Sequence, residues 1–423
     1  MSVSTDKARS NALRSLSAVS LNKVVQVAGL VATVALVPRL FGAEDYGRFA
    51  FVLSLSYLGQ VLGDFGTLDV LGRFVPGMTS GEAGRLYMRT LAFKVMVGAA
   101  CGIITAGVAL ALAPWMTWVW AGLTGLGVAL HIVAWVPFQF ALGLNRVGTW
   151  MAEQAWRQWA LLLLLLALLP LWGLGGALLA VLVMEIIFCG LGVWWVRDYW
   201  RGADLRLEWP YLAAYVRFGL TFFLANLAAV ALYRSGPALV ELLTGDSKQT
   251  GYFNLALGLF LLGYITVSQF AQGLIPLLSS LRAAGQMGQV RQWLRNFVSY
   301  GWWLSCLGVL AVWLLADGVV PLIFGPDFAG AAASLKWISL GMPLATLLWA
   351  GNVLATVMGR GQVKFGAALA ALLTFSGVAL GLVPHYGAAG AALALSLAVT
   401  ANVAVLGVYL WPYYYYSAML LTK

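Results

Sequence analysis

Charge is what this sequence has least of. Asp, Glu, Lys and Arg together make up 9% of its 423 residues, where a soluble domain carries about a quarter. So little charge cannot cover a soluble globule, and no stretch is long and polar enough to fold as a separate domain. Histidine is nearly missing: His131 and His385 are the two present, too few and too far apart for a zinc site or a Ser-His-Asp arrangement. The three cysteines, Cys101, Cys189 and Cys306, each sit inside an apolar run. Their odd number and unpaired spacing exclude a disulfide framework, and they read as small packing residues. No phosphate-cradling GxxxxGK[ST] loop occurs, so this chain does not power anything by its own nucleotide hydrolysis. The expectation is a non-enzyme that needs no cofactor.

What is there in abundance is apolar. Hydrophobic residues make up 62% of the chain, and the mean hydropathy is +0.88. A helix needs about 20 apolar residues to cross about 30 Å of hydrocarbon, and helices satisfy their backbone where water is missing. Twelve such runs are expected: Val19–Pro38, Phe49–Leu71, Leu91–Leu112, Trp118–Leu142, Trp156–Trp172, Leu174–Val196, Phe218–Leu243, Tyr252–Leu278, Val298–Phe324, Leu335–Met358, Phe365–Pro384 and Ala388–Trp411. The fold class is therefore an all-α integral membrane protein of about twelve transmembrane helices.

The net charge of +10 does not point to nucleic acid, because the basic residues lie on short loops rather than on a basic helix. They gather on alternate connections: Arg73, Arg85, Arg89, Arg146, Arg197, Arg201, Arg206, Arg282, Arg291, Arg295, Arg360 and Lys364 fall on one side, and Lys94 and Arg157 sit at span ends on that same side. The positive-inside rule makes that side cytoplasmic, with both termini there. The first run is longer than a signal-peptide core and has no cleavage site, so the N-terminus is expected to be retained.

The chain also repeats itself. Gly173 to Ala180 (GLGGALLA) opens the sixth run, and Gly387 to Ala394 (GAAGAALA) opens the twelfth. Gly42 to Phe49 (GAEDYGRF) joins runs one and two, and Gly245 to Phe253 (GDSKQTGYF) joins seven and eight. Six crossings return the chain to its starting side, so the halves should share one orientation. Two six-helix lobes are expected at 1–197 and 212–423, with a cytoplasmic link at 198–211.

Several of these segments resemble a family. Pro38 to Gly47 (PRLFGAEDYG) is similar to the ARxxGxxxYG turn of polysaccharide transporters. Asp64-Phe65-Gly66 with Arg73 is similar to their DFG…R second span, and Gly251 to Ala256 to the GxYxxA that opens their eighth. Phe324 to Phe328 is similar to their FGxxF turn. Together these span nearly the whole chain and resemble the O-antigen and exopolysaccharide flippases of the multidrug/oligosaccharidyl-lipid/polysaccharide exporter superfamily. The resemblance implies a two-lobed transporter of the bacterial inner membrane. It would move a polyprenyl-diphosphate-linked oligosaccharide by alternating access, with spans one, two, seven and eight lining a central cavity. Its partners would be that lipid-linked substrate, membrane lipids, a proton or sodium ion, and a polysaccharide polymerase. The sequence departs from the lipid II flippase branch in lacking two C-terminal spans and a dense basic cluster in the first two.

An anionic diphosphate and a glycan call for cationic and amide groups inside the membrane. Span one offers Asn22 and Gln26 with Gly29 and Thr33 on one face, and Lys23 beside them. Span two offers Tyr57, Gln60 and Asp64; the last is the candidate for a coupling proton or cation, and equally for a structural partner of a basic group. Span seven offers Asn226 and Arg234, the one Arg read as deep within a span, with Glu241 on its face. Span eight offers Gln269 and Gln272. Each of these residues could instead bond one helix to another. Glu185 reads as a buried acid away from the cavity, His131 as a packing residue, and Asp69 with Arg73 as an i,i+4 ion pair. Two other readings stand beside the flippase: a cation-coupled drug or metabolite antiporter of the same architecture, and a non-transporting subunit of a polysaccharide export complex.

Overall fold

The computed structural model describes residues 22, 24–199 and 208–415. Among them every regular element is helical. The helices are α1 (Val24–Phe41), then α2 (Ala43–Leu62), α3 (Thr67–Phe74), α4 (Ser80–Leu112), α5 (Trp118–Gly143), α6 (Val147–Trp195) and α7 (Trp209–Arg234). They continue as α8 (Gly236–Thr244), α9 (Ser247–Gly273), α10 (Ile275–Ala283), α11 (Met287–Phe324), α12 (Ala331–Ser339), α13 (Gly341–Val357) and α14 (Gly361–Tyr415). The expected Lys23, the basic residues Arg201 and Arg206, most of the 198–211 link and both termini lie outside the described residues.

Two helices are too long for one crossing, and both fold back. In α6 the break is at Trp172 and Gly173, whose glycine has φ 54° and ψ −136°. In α14 it is at Gly387, with φ 54° and ψ −132°. Eight residues of straight helix rise about 12 Å. Yet a Cβ placed on Gly176 would lie 2.1 Å from the Leu168 carbonyl oxygen, and one on Gly390 would lie 2.6 Å from that of Leu382. Each helix is therefore a tight hairpin of two antiparallel arms, and its small residues let the arms touch. The same dihedrals and the same spacing recur at both ends of the repeat read in the sequence.

Eight described helices are long and apolar enough to cross a membrane, and two bent pairs, α2 with α3 and α7 with α8, qualify together. Counting each bent pair as one crossing, and each hairpin as two, gives twelve among the described residues. The α7–α8 bend is 48°; Pro237 sits in the first turn of α8, where its missing N–H costs nothing.

The chain forms two compact units: Met1–Phe41 with Val52–Leu227, and Gly42–Phe51 with Ala228–Lys423. Within the first, α4 packs on α5 and α5 on α6. The start of α7 is tied to α4 by the Arg89–Glu208 ion pair at 2.5 Å. Within the second, α9 and α12 to α14 enclose a core that includes Phe253, Leu348, Phe375, Ala391 and Val399. The first turns of α2 cross α9 in this unit at two glycines. A Cβ on Gly47 would lie 1.6 Å from the Ser247 carbonyl oxygen, and one on Gly251 would lie 2.2 Å from that of Ala43. Those glycines occupy equivalent places in the GAEDYGRF and GDSKQTGYF segments.

Candidate functional site

The second crossing is broken in its middle without a proline. Phe65 has φ 49° and Gly66 has φ 67°, so α2 stops and α3 restarts at a bend of 44°. Such a break strips carbonyls of their helical donors. Lys94 of α4 supplies the replacement: its Nζ lies 2.6 Å from the carbonyl oxygens of both Gly63 and Asp64. The ammonium is buried, and the Asp64 carboxylate stands 3.9 Å away and is 22% exposed. Gln139 of α5 completes the knot. Its Nε2 donates to Asp64 Oδ1 at 3.3 Å, while its Oε1 accepts from Thr67 Oγ1 at 2.9 Å. The Gly66 backbone seats directly on α7, where a Cβ would lie 2.1 Å from the Gly219 carbonyl oxygen.

A second polar knot lies deeper in the same unit. Arg157, on the first arm of α6, donates from Nη1 to Glu185 Oε2 on the second arm at 2.5 Å. Its Nε donates to Glu153 one turn earlier. His131 of α5 brings Nδ1 to 2.8 Å from Glu185 Oε1. Both acids are 1% exposed, and the rings of Phe188 and Trp135 flank the guanidinium at 4.7 and 5.8 Å. Arg157 and Glu185 meet because α6 folds back at Gly173, and that fold brings together residues 28 apart in the chain.

The polar face of α1 lies against the first arm of α6. Gln26 Nε2 donates to Gln154 Oε1 at 3.5 Å, and Gln158 Nε2 donates to Thr33 Oγ1 at 2.9 Å. Gly29 leaves room for Trp159, whose Nε1 donates to the Val25 carbonyl at 2.9 Å. The stripe read in span one thus bonds helix to helix along this length. Asn22, Tyr57 and Gln60 are half-buried. The side chain of Asn226 lies outside what is described.

In the second unit Arg234 is half-buried and is the last residue of α7, at the bend rather than mid-helix, where a cation complements the helix C-terminus. Glu241 accepts from Ser247 Oγ and Thr250 Oγ1, each at 2.7 Å. Gln269 is half-buried and Gln272 exposed. Tyr264 packs against Tyr233 and Trp349 with ring centroids 5.0 and 5.7 Å apart. A groove of about 310 Å³ runs between α11, α13 and α14, lined by Leu294, Val298, Leu354, Val403, Leu406 and Gly407 among others. Among the described residues, Arg295 is the one charged residue in its lining.

Sequence reasoning placed Asp64 and its basic partner in outline but missed three things. Lys94 and Arg157 were read as span-end residues, and both are interior. His131 was read as packing, and it bonds Glu185. The ion pair expected between Asp69 and Arg73 is not formed; the Arg73 guanidinium lies over the Phe218 ring at 4.8 Å. The signal available for Arg157 was its Glu153 one turn before, a spacing that pairs charges on a helix.

No family model matches the chain, and no curated protein does. Solved structures do. The lipid II flippase MurJ in an inward closed conformation is similar with a TM-score of 0.76 at 12% identity, over 93% of this chain and 86% of that one. An inward-facing multidrug resistance transporter of the MATE family gives 0.74 at 16% identity, over 95% and 96%. A transporter of the same superfamily from Pyrococcus furiosus gives 0.55 at 12%, over 93% and 91%. The chain has the all-helical membrane fold of these transporters, the second and third of which are of the MOP superfamily.

Proposed function

We propose that this protein is a flippase that moves a polyprenyl-diphosphate-linked oligosaccharide across the bacterial inner membrane. The observation that carries the proposal is the groove in the second unit: an apolar cleft of about 310 Å³ with Arg295 in its lining. Its lining matches a substrate with a hydrocarbon tail and an anionic head. The likeness in fold to a lipid II flippase supports the same reading. Asn22, Lys23, Gln26, Tyr57, Gln60, Asn226, Arg234, Gln269 and Gln272 are the proposed substrate contacts, and Asp64 a proposed ion site. The lobes 1–197 and 212–423 are the proposed moving bodies, both termini are proposed to be cytoplasmic, and the glycan is proposed to be an O-antigen or exopolysaccharide repeat unit.

The similarity to a MATE transporter and the buried acids of the first unit favour a second reading, an ion-coupled antiporter of small molecules. Photolabelling separates the two. A polyprenyl-diphosphate glycan bearing a photoactivatable tail should mark Val403 to Leu410 and be displaced by unlabelled lipid. Labelling spread evenly over the lipid-facing helices contradicts the flippase reading.

A further inference from the structure

We propose that the groove of the second unit is a length-limited site. It holds the diphosphate end of a polyprenyl lipid, about the first two prenyl units, and leaves the rest of the tail in the bilayer. The identity of the lipid rests on the flippase reading above; the length limit does not.

The groove has a charged end and a closed end. Its lining runs from Leu347 to Leu354 on α13 and from Val403 to Leu410 on the second arm of α14. Seven residues of helix rise about 10 Å, the extended length of about two prenyl units. On α11 the lining stops at Val298. One turn further, Gly301 closes on α13, where a Cβ would lie 2.6 Å from Thr346 Cγ2. The turn after that brings Ser305 Oγ to 3.4 Å from Thr346 Oγ1. Thr346 immediately precedes Leu347, so α11 and α13 meet where the lining ends. A tail cannot pass between them and must turn out into the lipid. The volume of about 310 Å³ is at the low end for a small-molecule site and suits one chain. A polyprenyl diphosphate has one chain below its phosphates, whereas a glycerophospholipid has a pair that diverges.

Arg295 stands at the other end, beside the last lining residues of α13 and α14. It is exposed, and Arg291, one turn earlier on the same helix, is half-buried. The chain from Met287 to Ala316, all of α13, and residues 387–415 contain no Asp or Glu. The three lining segments therefore offer these guanidiniums no carboxylate, and the charge at this end is left for an anion. The positive-inside rule accounts for basic residues at this end, but not for a cation in the wall of an apolar groove. An Arg fork matches a phosphate with two parallel hydrogen bonds, and its stem can lie along the apolar lining. Head and tail chemistry thus meet within one groove whose far end is shut. The features it can read are the phosphate and the first part of a single chain; the length of that chain lies beyond its reach.

Photolabelling along the tail tests the limit. The full-length protein in phosphatidylcholine vesicles is offered two undecaprenyl diphosphates, one with a diazirine in the second prenyl unit from the diphosphate and one with it in the last. The first should mark residues between Val403 and Leu410, and the second should mark lipid-facing helices without preference. Unlabelled farnesyl diphosphate should protect the groove within about threefold of undecaprenyl diphosphate, and farnesol or phosphatidylglycerol about tenfold less well. Arg295→Gln should weaken protection by farnesyl diphosphate about tenfold, with melting unchanged. Should that variant not fold, Gly407→Leu, where a Cβ meets nothing within 4 Å, should fill the groove and abolish marking by the first probe. Equal marking of the groove by both probes, marking by neither, or protection that needs the full tail overturns the length limit. Protection by phosphatidylglycerol equal to that by farnesyl diphosphate overturns the occupant. Marking by the first probe alone, in a protein that moves no lipid-linked glycan, supports the site and removes the flippase reading. Transport by a protein whose groove takes both probes equally does the reverse.

Discussion

The Lys94 ammonium lies 2.6 Å from the Asp64 carbonyl oxygen and 3.9 Å from the same residue's carboxylate. One cation therefore serves the broken backbone first and the acid second. Lys94→Met keeps the length of the side chain and removes its donors. It leaves the Gly63 carbonyl without that donor, at a cost of about 1–3 kcal/mol, while the Asp64 carbonyl keeps the Thr67 N–H and hydroxyl. Thermal unfolding in detergent should show a clear loss of stability. Lys248→Met, at an exposed position, should leave the transition where it was.

The hairpin glycines give a paired test. Gly173 and Gly387 hold φ near 54° with strongly negative ψ, a region costly for any residue with a Cβ, at about 1–3 kcal/mol. Gly387→Ala also meets Gln249 Oε1 at 2.4 Å. Gly377→Ala, on the same helix with nothing within 4 Å, should be neutral or stabilising by up to about 1 kcal/mol. Melting of the two variants side by side checks this.

How much of this was legible in the sequence follows from what each feature depends on. The hairpin breaks at Gly173 and Gly387 were legible, because apolar runs too long for one crossing met a glycine-rich repeat. The first-unit knots were not. Lys94 and Arg157 sit near the charged ends of their runs, and hydropathy treats such residues as reaching for water. Their burial follows from a broken helix and a folded one, which three-dimensional packing reveals. The stripe of Gln26 and Thr33 was legible as a polar face, but its bonding to Gln154 and Gln158 depends on which helix lies opposite.

The groove offers a substitution that fills space without crowding the fold. Gly407 lines it, and a Cβ there meets nothing within 4 Å. Gly407→Leu should lower transport of a lipid-linked glycan roughly tenfold, equivalent to about 1.4 kcal/mol, with unfolding unchanged. Initial rates in proteoliposomes provide the comparison.

Arg234→Ala and Asp64→Asn test the two ionisable residues proposed for substrate and ion. Asn at 64 keeps an acceptor for Gln139 and removes the charge. Both variants should fold, elute as the wild type does, and move substrate at least several-fold more slowly. Wild-type rates in either would assign that residue to structure alone.

The most direct measurement is leaflet exchange of a radiolabelled polyprenyl-diphosphate oligosaccharide in liposomes containing the purified protein, followed by lectin capture of the glycan on the far side. The account predicts exchange well above that of protein-free vesicles, abolished when unlabelled lipid-linked glycan saturates the protein. Exchange no faster than in empty vesicles, from folded protein offered several glycans, would contradict it.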